Sequence, residues 1–210
     1  MRILITAGPT WVPIDKVRVI SNIATGKTGI LLAKNANKSF KTSPTLVIGP
    51  VGEVKLDKAI KVRRFSYFDE LDKVINEELK TKKFDVVIHS AAVSDYKLKK
   101  EDKGKISSNL NKLNLELEST VKLIDKIKKI DPKVFLVMFK LELNGSLSQM
   151  VSKARISMKK AKADLCVVNT FSDSMLYTAL IIDKEKVLHK VNSKEKLVDK
   201  LLKVIFNKSN

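Results

Sequence analysis

One cysteine, Cys166, stands in 210 residues, so no disulfide can close within the chain. It lies in the apolar run Asp164-Leu165-Cys166-Val167-Val168-Asn169, which reads as a buried strand, and its expected role is a small core side chain. Histidine is nearly as scarce. His89 and His189 offer that thiol no recognisable base partnership, and no zinc-finger spacing occurs. Aromatic residues make up only 6% of the chain, with no RNA-binding aromatic motif among them. No apolar run is long enough to span a membrane, and the first apolar run, Ile3–Thr6, is too short for a signal-peptide core. A cytoplasmic protein without a membrane partner is therefore expected. Acidic residues are outnumbered 23 to 41 by basic ones, which gives a net charge of +18 and a pI of 9.8. Such a balance raises a basic nucleic-acid-binding module as an alternative, whose mark would be salt-sensitive binding. The excess is mostly lysine scattered over every expected helix and loop. It reads as a solvated surface that favours phosphorylated, anionic substrates, with no nucleic acid among the expected partners.

What the chain does contain is an alternation of short strands and longer helices, which predicts an α/β fold with a mostly parallel sheet. The expected strands are Ile3–Thr6, Thr45–Ile48, Val62–Phe65, Val86–His89, Phe135–Phe139 and Leu165–Val168. The expected helices are Lys27–Ala36, Tyr67–Leu79, Val121–Ile130, Ser146–Ala161 and Lys194–Phe206, with Thr120 and Ser193 as N-caps. Near the end, Ala179–Ile182 and Val187–Val191 flank Asp183-Lys184-Glu185-Lys186 and read as a hairpin added to the sheet edge. Residues 97–118 are the least regular and read as a flap or arm, with Leu113, Leu115 and Leu117 alternating along one side.

Two loops carry the chemistry. The first strand runs into Ala7-Gly8-Pro9-Thr10, and Ser21-Asn22-Ile23-Ala24-Thr25-Gly26-Lys27-Thr28-Gly29 then opens a helix. Small residues let backbone N–H groups approach phosphates, and a helix N-terminus adds its dipole. A dinucleotide-binding oxidoreductase using NAD(P) is the alternative from another enzyme class, and a cofactor titration separates it. The first turn, however, is not G-x-G-x-x-G, and Leu46-Val47-Ile48-Gly49-Pro50 offers no acid for a ribose. Gly26-Lys27-Thr28 is not a P-loop ending either, because Ser21 stands where the first glycine belongs.

With Ala91-Ala92-Val93-Ser94-Asp95-Tyr96 and Lys105-Ile106-Ser107-Ser108, these motifs resemble phosphopantothenoylcysteine synthetase, in the right order and over nearly the whole chain. The resemblance implies one Rossmann-like three-layer domain over residues 1–210, and a ligase of coenzyme A biosynthesis. That ligase joins 4'-phosphopantothenate to L-cysteine through an acyl-nucleotide. It implies a homodimer, Mg²⁺ and a nucleoside triphosphate. CTP is favoured over ATP because the Lys105-Ile106-Ser107-Ser108 form looks like the separate bacterial ligases. Met1 leads straight into the first strand, so a separate ligase without flavin is expected. By position, the resemblance assigns Asn22 and Lys105 to catalysis, and Arg18, Asn22, Ala91 and Ala92 to the phosphopantothenate. It assigns Gly8, Ala24, Gly26, Gly29, Asp95, Lys105, Phe139, Lys160 and Asn169 to the nucleotide, with no metal-ligating side chain. Three departures from the family's pattern stand out. Ala24 replaces a serine, Met138 a glycine and Ile156 a lysine, beside Arg155.

Overall fold

Aliphatic and β-branched runs become strands, and amphipathic runs become helices, in a computed structural model that describes residues 1–100, 104–171 and 177–209. In chain order the elements are β1 (Ile3–Ala7), β2 (Trp11–Pro13), β3 (Val19–Ser21), α1 (Lys27–Phe40), β4 (Thr45–Ile48), β5 (Lys61–Arg64), α2 (Phe68–Thr81), β6 (Val86–His89), β7 (Tyr96–Leu98), β8 (Leu117–Ser119), α3 (Ile124–Ile130), β9 (Phe135–Leu141), α4 (Leu147–Ala161), β10 (Leu165–Phe171), β11 (Tyr177–Ile182), β12 (Val187–Val191) and α5 (Lys194–Ser209).

An eight-stranded sheet has the order β12-β11-β10-β9-β6-β1-β4-β5. Strands β10, β9, β6, β1, β4 and β5 are parallel, and β11 and β12 add antiparallel strands at one edge, as the sequence predicts for the hairpin. The order reverses between β1 and β6, which face each other in the register Ile3↔Val86 to Thr6↔His89. Beyond the carboxyl ends of these two strands lies the crevice where open α/β sheets bind ligands.

Helices cover both faces. Leu71 and Ile75 of α2, Ile127 of α3 and Ala154 and Met158 of α4 pack with Leu4, Val87, Leu136 and Cys166 on one side. Leu32 and Ala36 of α1 and Leu197 and Leu201 of α5 pack with Ile5, Ile88 and Val137 on the other. Each fully buried aliphatic side chain of this kind contributes about 1.5–3 kcal/mol. Cys166 is fully buried, and burial pushes its thiol up to about 12, so it is the inert core residue expected.

The differences from the sequence reading are local. The third helix starts at Ile124 rather than Val121, with Leu123 at its N-cap position. Thr120 caps nothing there, because its hydroxyl donates to the Ser94 carbonyl oxygen at 2.8 Å. Ser193 does cap α5, accepting from the Lys196 N–H at 3.1 Å. The β2–β3 hairpin is absent from the sequence reading, since three-residue strands leave too short a period to detect. The segment read as a flap is anchored at both ends by the β7–β8 ribbon, with Leu117 paired to Leu98. Its residues 101–103 lie outside the described residues.

Candidate active site

The site begins where β1 and β6 end. Thr6 turns its hydroxyl toward β6, where it accepts from the Ala91 N–H at 3.2 Å and meets His89 Nδ1 at 2.9 Å. The Ala92 N–H donates to the Gly8 carbonyl at 2.9 Å, and the Thr10 N–H donates to the Ala92 carbonyl at 3.3 Å. Thr10 and Ser94, both buried, close this zipper. The Ser94 N–H donates to Thr10 Oγ1 at 2.9 Å, and the Thr10 hydroxyl donates to Ser94 Oγ at 3.0 Å. The Gly-Pro turn and the Ala91-Ala92 turn are thereby one rigid floor.

α1 aims its N-terminus at this floor. Gly26 holds a left-handed φ of 68°, and a Cβ there would lie 3.3 Å from the Gly8 N. Gly29, one turn on, lets the helix lie against β1, because a Cβ would sit 2.5 Å from Ala7 Cβ. The first turn carries no acidic residue and its N-cap, Gly26, has no side chain to cap it; the Lys27 N–H donates to Thr25 Oγ1 at 3.4 Å, and the helix dipole is left beside Gly8. Asn22 bridges the two loops, donating from Nδ2 to the Ala92 carbonyl at 3.0 Å. Gly8, Gly26, Gly29, Asn22, Ala91 and Ala92 are thus brought to one locality, and Ala24 lies on the loop between Asn22 and Gly26.

Arg18 and Lys105 are linked through a buried carboxylate. Asp15 is 5% exposed. Its Oδ1 accepts the N–H groups of Val17 and Arg18 at 2.9 and 2.8 Å, and Oδ2 accepts that of Ile106 at 3.0 Å. The Arg18 guanidinium donates to the Ile106 carbonyl at 3.0 Å and lies 3.5 Å from Asp15, while the Lys16 N–H donates to the Gly104 carbonyl at 3.0 Å. The Val17 N–H, ahead of those of Ile106 and Arg18, holds the Asp15 carboxyl below its ordinary value. The clamp seats the backbone on either side of Lys105, whose side chain is exposed.

Below the floor, on the α3 side, a cleft of about 150 Å³ is lined by His89, Ala91, Asp95, Lys122, Met138 and Phe139 among others. Phe139 and Asp95, both assigned to the nucleotide by the resemblance, share this cleft. The Asp95 carboxylate pairs with Lys122 at 2.5 Å. Asn169 lies near the end of β10, beside Leu141 of β9, and its carbonyl accepts the Glu142 N–H at 3.0 Å. Lys160 is the expected residue that the structure sets apart. It sits on the last turn of α4, does not line the cleft and pairs with Asp125 at 3.3 Å. Arg155 likewise donates elsewhere, to the Glu185 carbonyl at 2.6 Å. Residues missed from sequence are Asp15, His89 and Lys122. The signal for His89 was its place as the last residue of a strand at the ligand-binding end. Lys122 had no local signal, because its partner lies 27 positions away, and for Asp15 the local turn bonds to Val17 and Arg18 do not reveal the tie to Ile106, 91 positions on.

The family model described as "DNA/pantothenate metabolism flavoprotein C-terminal domain" matches residues 1–208. The chain is 40% identical over 171 residues to the coenzyme A biosynthesis bifunctional protein CoaBC of Thermococcus kodakarensis, which covers 80% of this chain and 41% of that protein. The chain therefore spans less than half of that relative's length. Among solved structures, the DNA/pantothenate metabolism flavoprotein from Streptococcus pneumoniae superposes with a TM-score of 0.89 at 27% identity, over 99% of both chains. The C-terminal domain of a coenzyme A biosynthesis bifunctional protein CoaBC superposes with a TM-score of 0.78 at 26% identity, over 97% of this chain and 93% of that one.

Proposed function

The chain belongs to the family of DNA/pantothenate metabolism flavoprotein C-terminal domains, and from that membership we propose that it is a phosphopantothenate–cysteine ligase of coenzyme A biosynthesis that uses CTP. The observation that carries this reading is the junction of three features at the sheet's switch point. These are the uncapped N-terminus of α1, the zippered floor of Gly8 and Ala92, and the clamped segment bearing Lys105.

In this reading the triphosphate lies against Gly8, Ala24, Gly26 and Gly29, where backbone N–H groups and the helix dipole favour anionic charge. Phe139 and Asp95 line the nucleoside's cleft, with Asn169 toward its β10 side, and Lys160 has no contact assigned to it. The phosphopantothenate carboxylate attacks the α-phosphorus of CTP and pyrophosphate leaves, giving an acyl-cytidylate. The cysteine amine then attacks the acyl carbon, forming the amide and releasing CMP, and the amine proton passes to solvent. Both steps build charge on oxygen. Lys105 neutralises it at the α-phosphate, and the Asn22 amide donates to it at the acyl group. Arg18 offers a forked donor to the substrate phosphate. When bound, Mg²⁺ would supply neutralisation of the triphosphate charge, beside the Gly8 and Gly26 backbone that would hold those phosphates.

A homodimer is part of the same reading. The β2–β3 hairpin and the β7–β8 ribbon lie against each other. Between them they expose Val19, Ile20, Tyr96 and Leu117, with Leu113 and Leu115 on the adjoining segment. Apolar side chains exposed together on packed elements mark an interface. Among the described residues no helix is long and apolar enough to cross a membrane.

Pyrophosphate release, followed with CTP and ATP in parallel, tests the reading. Release is expected only with phosphopantothenate and Mg²⁺ present, faster with CTP, and phosphopantothenoylcysteine appears when cysteine is added. Equal release without phosphopantothenate would overturn it.

A further inference from the structure

His89 is not used by the chemistry above, yet it is a buried polar group that lines the cleft. It ends β6, is 8% exposed, and lines the cleft beside Ala91, Met138 and Phe139. Its proton can be located by accounting. The Thr6 side chain is fully buried, and its hydroxyl oxygen already accepts the Ala91 N–H. Among the described residues the one acceptor in reach of the hydroxyl hydrogen is His89 Nδ1 at 2.9 Å. A hydroxyl that accepted from Nδ1 instead would leave its own hydrogen buried and unpaired, at a cost of about 1–3 kcal/mol. Thr6 therefore donates, Nδ1 accepts, and the imidazole proton resides on Nε2.

Burial lowers the His89 pKa to about 4, so the ring is neutral at physiological pH and this tautomer is fixed. Nε2 has no hydrogen-bond partner among the described residues. The buried side-chain polar atoms without a partner there are Thr42 Oγ1 and Arg155 Nε. Nε2 is not one of them, so it opens onto the cleft that its side chain lines. The cleft thus contains one uncharged, directional donor, set by Thr6 and flanked by the Phe139 ring. Lys122, by contrast, is a cation neutralised by Asp95.

We propose that His89 is a specificity-determining residue that donates its Nε2–H to the acceptor edge of the nucleobase, the O2–N3 edge of cytosine. A neutral donor suits an uncharged base, whereas phosphate and carboxylate groups are better served by the α1 N-terminus and the exposed cations around the floor. The inference rests on the nucleotide-dependent reading of this site.

The test uses two variants that split the imidazole's functions. His89→Asn keeps an acceptor near the Nδ1 position for Thr6 and leaves no donor at the Nε2 position, since its shorter amide N–H groups stop short of it. His89→Gln reaches the Nε2 position with an amide N–H. Calorimetric titration with CTP and with ribose 5-triphosphate, which lacks a base, is run beside pyrophosphate-release kinetics. His89→Asn is expected to weaken CTP binding about five- to tenfold, with the loss in the CTP KM rather than in the phosphopantothenate KM. Ribose 5-triphosphate binding stays unchanged, and His89→Gln recovers most of the CTP affinity. Equal weakening of both ligands, or unaltered CTP binding, overturns the proposal. Base-dependent CTP binding without any ligation would refute the ligase reading and leave the His89 assignment standing. Failure of the unaltered protein to bind any nucleotide would refute both.

Discussion

Asn22 donates one amide hydrogen to the Ala92 carbonyl, and its side chain is otherwise exposed. The residue therefore both ties two loops and offers a fixed donor. Asn22→Asp replaces that donor with negative charge. The side chain is exposed, so the fold should persist with less than about 1 kcal/mol lost. Turnover should fall by about 10²–10³, the usual consequence of losing an oxyanion donor, and the acyl-cytidylate should build up during a single turnover. Turnover within about threefold of the unaltered protein, measured with the same melting temperature, would leave Asn22 as a tie alone. At this scale the sequence was informative where chemistry is local. Gly8, Gly26 and Asn22 stand in short motifs whose spacing survives folding. His89 and Asp15 acquire their meaning from partners brought by the sheet and the hairpin, Thr6 across 83 positions and Ile106 across 91.

The element with most bearing on function is the β2–β3 hairpin, because Asp15 in its turn holds the segment on either side of Lys105. Asp15→Asn keeps the size but puts an amide where three backbone N–H groups point, so at most part of the set is still accepted. The segment around Ile106 should loosen while the core stays intact. Trypsin should then cleave after Lys105 at least about tenfold faster, with ligation reduced in parallel and the melting transition nearly in place. Unchanged cleavage would mean that the Arg18 and Lys16 contacts suffice. The pH dependence follows from the sign of the shift. The Asp15 carboxyl is held below 3.8, chiefly by the Val17 N–H, so its clamp is complete above the ordinary carboxylate range and is lost as acid is added below it. The long elements were legible from period and punctuation. Four of the five helices begin within one residue of the expected start. The short ribbons were not, because a three-residue strand has no period. The third helix was overextended because Val121 and Lys122 continue an apolar-polar pattern while serving the cleft wall.

At the scale of the whole molecule, the charge of +18 and the Rossmann-type strand order are compatible with several functions. The apolar ribbons make the assembly testable. Exchanging Ile20 and Leu117 for glutamate together should shift the protein from dimer to monomer in sedimentation, since neither side chain is needed to fill the core. Activity should drop with assembly if each site draws on its partner. A monomer before substitution, fully active at assay concentration, would remove the dimer from the account. The central claim, that a carboxylate is activated as an acyl-nucleotide at the β1–β6 switch point, is tested most directly by isotope transfer. Phosphopantothenate labelled with ¹⁸O in both carboxylate oxygens is turned over with CTP and cysteine, and the CMP is analysed by mass spectrometry. Attack of the carboxylate on the α-phosphorus followed by amide formation places one ¹⁸O in each CMP. Unlabelled CMP, or label in inorganic phosphate with release of CDP, would contradict it.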